Sequence, residues 1–191
     1  MEELEIKQKI EELKKQLPAK VRKPKKLPTI ITKEEFEKIF YAETDKNYKL
    51  AFLLGFEAGM RISEIVGYKD KVPKLTPDRI DDVSIRIISG KGGKDRIVPR
   101  PKRLNEHALK LLPLKISRRA IQWEITRLGV KILNKQITFH TLRHGFCSHL
   151  VNQGRPLHEV QMLAGHSRLD TTGIYLHANP KDAIDKAREV L

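Results

Sequence analysis

The chain has 191 residues, which suits one compact domain with a short extension. Hydrophobic residues make up 39% of it and charged residues 32%, and no apolar run approaches the roughly 20 residues of a membrane-spanning helix, so we do not expect a membrane protein. The formal net charge of +14 indicates a polyanionic partner, with nucleic acid as the leading candidate.

The first residues, MEELEIKQKI, are acidic and amphipathic, unlike the basic and then apolar opening of a secretory signal. Cys147 is the single cysteine, so neither a disulfide within the chain nor a cysteine-rich zinc site is available. We therefore expect a protein of a reducing, cytoplasmic setting.

Most of the excess positive charge falls in three stretches, residues 20–26, 86–103 and 115–135. A localised excess favours a phosphate-binding surface over general solubility, although any one stretch alone could be an ordinary solvated face. The side chains that we expect to contact DNA are Lys25, Lys26, Lys94, Arg96, Arg118 and Arg119.

The chain opens with apolar residues at helical spacing, which predict an N-terminal helix over residues 1–17 that ends before Pro18. Residues 18–31 contain three prolines and read as a basic linker. Thr32 and Glu35 form a capping-box pattern that begins the first helix of the main domain, residues 32–191.

Residues 48–58 are apolar almost all round and predict a buried helix, which Gly59 ends before a second, short helix begins at Arg61. The β-branched segments 83–88 and 96–99 flank SGKGGKD and predict a hairpin with a glycine-rich turn. Further helices are predicted over 118–128, from Thr138 to about Asn152, and over 156–164, 170–177 and 180–190. The predicted fold is mainly α with a small antiparallel β-sheet (α+β).

Within ITFHTLRHGF, His140 and Arg143 lie beside an apolar stripe near a helix start, where backbone N–H groups favour an anion. The pair could bind a phosphate at the rim of the core; considered alone, two incidental surface groups are the better interpretation. His140 and His144 have the spacing of a zinc helix, but Thr141 stands where a metalloprotease has its glutamate, so we expect no metal.

Arg61 follows a buried helix and has Glu64 three residues later as an orienting partner, or the two form a plain surface salt bridge. Lys91 lies in GKGGK, which lacks the spacing and the hydroxyl residue of a nucleotide-binding loop, so an NTPase is excluded. His166 in AGHS and Tyr175 in TTGIYLH are the remaining reactive side chains, and a lone tyrosine is more often packed than catalytic.

Together these positions resemble the signature of the tyrosine recombinases, the phage integrase family, and in particular Xer-type members. The motifs are GMRISE, GKGGK, HTLRH, AGHS and TTGIY, and the resemblance covers about residues 27–190. It implies that the catalytic residues are Arg61, Lys91, His140, Arg143, His166 and Tyr175.

The resemblance implies the recombinase catalytic-domain fold and a reaction that cleaves and rejoins DNA without metal, ATP or other cofactor. Tyr175 would attack the scissile phosphate and form a 3′-phosphotyrosine, with His140 taking its proton and Lys91 protonating the departing 5′-oxygen. The nonbridging oxygens would be held by Arg61 and Arg143.

The resemblance also implies that His166 donates a hydrogen bond to the phosphate. Glu64 would not contact DNA and would hold Arg61 in position. Relatives usually have a core-binding domain before the catalytic domain, whereas only about 30 residues precede it here. Either the sequence is a fragment, or the helix at 4–17 substitutes for that domain in a minimal enzyme. We expect weak DNA binding and poor site selectivity of this chain alone. Two other functions stay open: a topoisomerase of the type IB class, and a non-catalytic DNA-binding module that retains the fold.

The expected partner is double-stranded DNA, on which the resemblance implies a homo-oligomer, a tetramer, with a monomer as the alternative without DNA. The last segment, NPKDAIDKAREVL, resembles the tail that relatives pack against a neighbouring protomer, and packing within its own chain is the alternative. We expect a nucleoid-associated protein encoded by a prokaryote or a mobile element.

Overall fold

The structure is a computed structural model that describes residues 5–9, 12, 29–88 and 95–165. Residues 5–9 and 12 are helical and exposed, and the other residues of the predicted N-terminal helix and most of the predicted linker lie outside the described ranges. Six predicted site residues lie outside these ranges: Lys25, Lys26, Lys91, Lys94, His166 and Tyr175. The predicted helices over 170–177 and 180–190 lie outside them as well.

Helix α1 spans Lys33–Ala42 and begins with the predicted capping box. The Thr32 hydroxyl accepts a hydrogen bond from the Glu35 backbone N–H at 3.2 Å, and the Glu35 carboxylate accepts one from the Thr32 N–H at 3.1 Å. Both bonds satisfy backbone donors that the first helical turn leaves unpaired. The predicted capping box therefore begins a helix in the structure.

Helix α2 spans Lys46–Glu57 and is buried at every position from Leu50 to Phe56, as its apolar sequence predicted. Gly59 then adopts a positive φ of 61°, a left-handed conformation that glycine reaches without a Cβ clash. The turn that it makes leads directly into helix α3, Ile62–Val66, with Arg61 as the N-cap residue.

The β element is a two-stranded antiparallel sheet of β1, Ser84–Ile87, and β2, Arg96–Pro99. Ile85 pairs with Val98, and both side chains are buried in the core, whereas Ile97 is 61% exposed. Because side chains alternate between the faces of a strand, Arg96 lies on the same face as Val98. The predicted hairpin strands are thus confirmed, with ends shifted by about one residue.

The second half contains helices α4 (Glu106–Leu109), α5 (Arg118–Leu133), α6 (Phe139–Asn152) and α7 (Leu157–Ala164). Two expectations need correction. Helix α4 was not predicted, and α5 continues five residues beyond the predicted end at 128. Gly129 lies within the helix and packs on Ile137, where a Cβ would not fit. Asn134, in the left-handed conformation, ends α5 instead.

Helix α6 lies at the centre of the molecule and packs against α1, α2, α5 and α7, with its most extensive helix contact on α2. A large core cluster joins α1, α2, α5 and the sheet, and a smaller one of Phe146, Cys147, Val160 and Ala164 joins α6 to α7. The described part of the chain is therefore mainly helical with one small antiparallel sheet, which confirms the predicted fold class. Within these ranges no helix has the length and apolarity to cross a bilayer.

Candidate active site

Arg61 stands at the start of α3, where the Gly59 turn directs its side chain toward the end of α7. Its Nη1 donates to Glu64 Oε1 at 2.7 Å, and its backbone N–H donates to Glu64 Oε2 at 2.7 Å. Nη2 donates to the carbonyl oxygen of Gly165 at 3.0 Å. Glu64 thus fixes both the backbone and the side chain of Arg61, one turn of helix away.

Arg143 lies in the interior, on the inner face of α6, with 1% of its surface exposed. Nη1 donates to the carbonyl of Gly59 at 2.6 Å, Nη2 donates to the carbonyl of Ala164, and Nε has no hydrogen-bond partner among the described residues. Arg143 was expected at the rim of the core, and that position was wrong, because its guanidinium reaches inward to the carbonyls of Gly59 and Ala164.

The Arg143 guanidinium carries its charge in an unusually unfavourable setting. Burial, followed by repulsion from Arg61 and Arg96, lowers its pKa to about 10. No carboxylate in the described part of the chain forms a salt bridge with it. A buried cation without a paired carboxylate is stabilised by an anionic ligand, so this position favours binding of a phosphate.

Arg96 at the start of β2 also faces inward, with only 9% of its side chain exposed. Nη1 and Nη2 donate to Glu64 Oε1 and Oε2 at 2.6 and 2.8 Å, and Nε donates to the Leu163 carbonyl at 3.1 Å. The sequence predicts a DNA contact for Arg96, whereas its guanidinium is directed at Glu64. Strand alternation with buried Val98 is the sequence signal that could have indicated this orientation.

Three guanidinium groups therefore converge on one helix end, and two of them, those of Arg61 and Arg96, also bind the carboxylate of Glu64. The three groups donate to three successive carbonyls, those of Leu163, Ala164 and Gly165, where α7 ends. Helix C-terminal carbonyls attract cations, and the three arginines with one glutamate leave a net charge of +2. Burial would raise the pKa of Glu64, but Arg96 and then Arg61 hold it below its usual range, so the carboxylate stays ionised.

His140 and His144 lie one turn apart on α6, His140 exposed and His144 half-buried. His140 is exposed one turn before Arg143, and its ring meets that of His144 edge to face at 4.5 Å between centroids. Burial, then His140 and Arg143, lower the pKa of His144 to about 4, so this ring is neutral at pH 7. In the described ranges no group of three or more His, Cys, Asp or Glu side chains could hold a metal ion.

Arg118 and Arg119 lie exposed in the first turn of α5, where DNA contacts were predicted. The Arg118 guanidinium lies over the ring of Tyr68, 4.2 Å from its centroid. A stacked guanidinium keeps the hydrogens at its edge available for a phosphate, and the ring limits the orientations that it samples. The contacts of both arginines with DNA stay predictions.

A family model described as the phage integrase family matches residues 29–182. The chain belongs to the phage integrase family. Among its curated relatives is the tyrosine recombinase XerA of Thermococcus kodakarensis, 34% identical over 178 residues, which cover 83% of this chain and 60% of the relative. The chain spans about 60% of the length of the curated relatives that it matches.

Two solved structures of phage integrase relatives resemble the fold. The crystal structure of XerA recombinase superposes with a TM-score of 0.66 at 24% identity. The match covers 87% of this chain and 66% of the XerA chain. The post-cleavage complex of XerH with palindromic difH also has a TM-score of 0.66 at 24% identity. That match covers 86% of this chain and 54% of the XerH chain. The similarity establishes that the described core has the tyrosine recombinase catalytic-domain fold.

Of the positions that carry the family signature, the fold brings Arg61 and Arg143 together at the end of α7, with His140 one turn before Arg143. Glu64 is the partner of Arg61. Gly165, whose carbonyl accepts from Arg61, immediately precedes His166 in the sequence. The sequence predicts Arg96 as a DNA contact and does not reveal its pairing with Glu64, because the two residues lie 32 positions apart in the chain.

Proposed function

We propose that residues 32–191 form the catalytic domain of a site-specific DNA recombinase or integrase. The observation that carries the proposal is Arg143, a buried arginine without a carboxylate partner in the described part of the chain, beside Arg61 in a cluster of net charge +2. Phosphoryl transfer needs an aligned nucleophile and neutralisation of the charge on the reacting phosphate, and needs little else from the protein. Two fixed guanidinium groups supply that neutralisation with more directional donors than lysines would.

In the proposed reaction the Tyr175 oxygen attacks the scissile phosphorus while Arg61 and Arg143 hold its nonbridging oxygens. The new bond is a 3′-phosphotyrosine ester, and the bond that breaks is that between phosphorus and the 5′-oxygen. The tyrosine proton passes to His140, and Lys91 protonates the departing 5′-oxygen. Because the ester preserves the bond energy, rejoining needs neither metal nor ATP.

His166 completes the proposed site with a further hydrogen bond to the phosphate, and Glu64 keeps Arg61 in place. The adjacent residue Gly165 supports this role, since its carbonyl already lies against the Arg61 guanidinium.

The proposed substrate is double-stranded DNA, and the solved XerH relative is described as bound to its difH substrate. The residues that would contact the backbone are Lys25, Lys26, Lys94, Arg118 and Arg119, which contribute affinity without reading sequence. We also propose a homotetramer on DNA, with residues 1–17 and 18–31 as a helix and a basic linker before the catalytic domain, in a nucleoid-associated cytoplasmic protein. Xer-type relatives favour recombination over type IB topoisomerase activity.

A nicked suicide DNA duplex tests the proposal, because loss of the short 5′-fragment traps the covalent intermediate. The wild-type chain should form an adduct that survives denaturation. Tyr175→Phe should bind the duplex with unchanged affinity and form no adduct, and Tyr41→Phe, which alters an exposed tyrosine on α1, is the matched control. An adduct with Tyr175→Phe would refute the nucleophile, and binding without any wild-type adduct would favour the non-catalytic module.

A further inference from the structure

The carboxylate of Glu64 receives more donors than one catalytic arginine requires. Its side chain is 1% exposed, and each of its oxygens accepts one hydrogen bond from Arg61 and one from Arg96. Arg61 uses only one guanidinium nitrogen there, whereas Arg96 engages both oxygens through the paired Nη geometry. A bidentate pair of this kind is the stronger of the two, so Arg96 is the main counterion of Glu64.

The charge of the cluster depends on this second arginine. Arg61, Arg96, Arg143 and Glu64 together carry +2, and without Arg96 they would carry +1. A phosphodiester has one negative charge and gains a second as an ionised nucleophile adds to phosphorus, so +2 matches the transition state. Without Arg96, Glu64 would draw on Arg61 alone and would reduce the charge that Arg61 offers to the phosphate.

Arg96 also joins two parts of the molecule that carry other signature residues. Its Nε donates to the Leu163 carbonyl, and a Cβ on Gly165 would lie 2.8 Å from its Cδ, so the arginine packs directly on the end of α7. Arg96 itself begins β2, the strand that follows the GKGGK segment. The contact therefore ties this strand to the residue before His166.

We propose that Arg96 is a positioning residue of the reaction, which neutralises Glu64 so that the full charge of Arg61 acts on the scissile phosphate. This inference rests on the proposed recombinase function. Arg96 acts through Glu64 and Arg61 and does not itself need to contact DNA. The proposal predicts that removing the charge of Glu64 compensates for losing that of Arg96.

The test measures single-turnover adduct formation on the nicked suicide duplex, together with DNA affinity and the thermal unfolding midpoint. Arg96→Gln should slow adduct formation by about tenfold or more while DNA affinity changes by less than about threefold. The double variant Arg96→Gln/Glu64→Gln restores +2 and should recover most of the lost rate. Arg100→Gln is the matched control, because Arg100 follows β2 and binds the carbonyls of Leu104 and Asp81.

Arg96→Lys keeps the positive charge but loses the bidentate geometry. Because the proposed role depends on charge, this variant should remain within about threefold of the wild-type rate. A folded Arg96→Lys that is slowed tenfold or more would overturn charge compensation, as would a double variant no faster than Arg96→Gln. If Arg96→Gln does not fold, the Arg96→Lys result alone decides. Failure of the wild-type chain to form an adduct would overturn the proposed function itself, and the role of Arg96 with it.

Discussion

Arg143 and His144 are adjacent on α6, and the pKa of each is lowered chiefly by burial. The charge states at pH 7 differ, because the ordinary pKa of an arginine lies far above 7 and that of a histidine lies just below it. Arg143 at a pKa of about 10 is still charged at pH 7 and depends on carbonyl dipoles and, in the proposed function, on a phosphate. His144 at about 4 is neutral at pH 7, so it adds no further positive charge beside the arginine cluster.

His144 should make the protein less stable in mild acid. Its folded-state pKa of about 4 lies below the ordinary value of 6.5, so the unfolded chain binds the proton more readily. The stability contribution is fully present above about pH 6.5 and is lost as the pH falls through about 4. Urea unfolding from pH 7.5 to 4 should show a smaller loss of unfolding free energy for His144→Gln than for the wild-type chain.

His158→Gln is the control for that series, because His158 is exposed on α7 and its replacement removes no buried ring. It should follow the wild-type pH dependence. An unchanged pH dependence in His144→Gln would show that carboxylates alone account for the acid destabilisation.

The elements that carry the site are held together by a close crossing of α2 and α6, in which each helix places a glycine against an aromatic ring of the other. A Cβ on Gly55 would lie 2.7 Å from Phe139, and one on Gly145 would lie 2.6 Å from Phe56. The close crossing of α2 and α6 therefore requires glycine at positions 55 and 145. This packing holds α6, the helix that carries His140 and Arg143, in place.

Gly145→Ala should destabilise the protein despite the better helix propensity of alanine. Propensity alone would stabilise α6 by about 1 kcal/mol, whereas forcing a methyl group into a packed core costs about 1 to 3 kcal/mol. The methyl group would also lie 3.0 Å from the Ile31 carbonyl, which cannot rotate away. The two terms leave a net loss of up to about 2 kcal/mol, and because the backbone carbonyl cannot move aside we expect a loss toward that upper value in urea unfolding.

Lys131→Ala, at an exposed position of α5, serves as the control and should change stability by less than about 0.5 kcal/mol. A Gly145→Ala protein more stable than the wild type would mean that the crossing relaxes without cost. Equal stability of Gly145→Ala and the wild type would mean that propensity and packing cancel.

At the scale of the whole molecule, positive charge serves two purposes in the proposed function. The basic stretches 20–26, 86–103 and 115–135 would supply affinity for the DNA backbone that weakens as salt increases, whereas the buried cluster acts on one phosphate. Arg96 belongs to the second stretch by sequence and to the cluster by structure.

Assembly on DNA should depend on the C-terminal segment. Its apolar positions at helical spacing are Ala183, Ile184, Ala187 and Val190. If they pack on a neighbouring copy, chains ending at Asn179 and Ile184→Asp should bind a duplex without forming the higher oligomer, as measured by sedimentation with DNA. Lys186→Ala is the control, and unchanged assembly of both test variants would exclude packing in trans.

The sequence by itself determined the chemical inventory and most local structure. Spacing and caps predicted α1, α2, α6 and the two strands, because those signals arise within a few residues of one another. The family signature likewise consists of short motifs. The true end of α5 was missed, because Asn134 ends the helix in a left-handed conformation and no apolar periodicity marks that position.

Only the tertiary structure decided which charges meet. Arg61 reaches Gly165 across 104 residues, Arg143 reaches Gly59 across 84, and Arg96 reaches Glu64 across 32. Such pairs depend on how helices and strands pack, and no local pattern specifies the direction of a long side chain. Because of this packing, Arg96, which was predicted to contact DNA, is the counterion of Glu64, and Arg143 lies inside the protein.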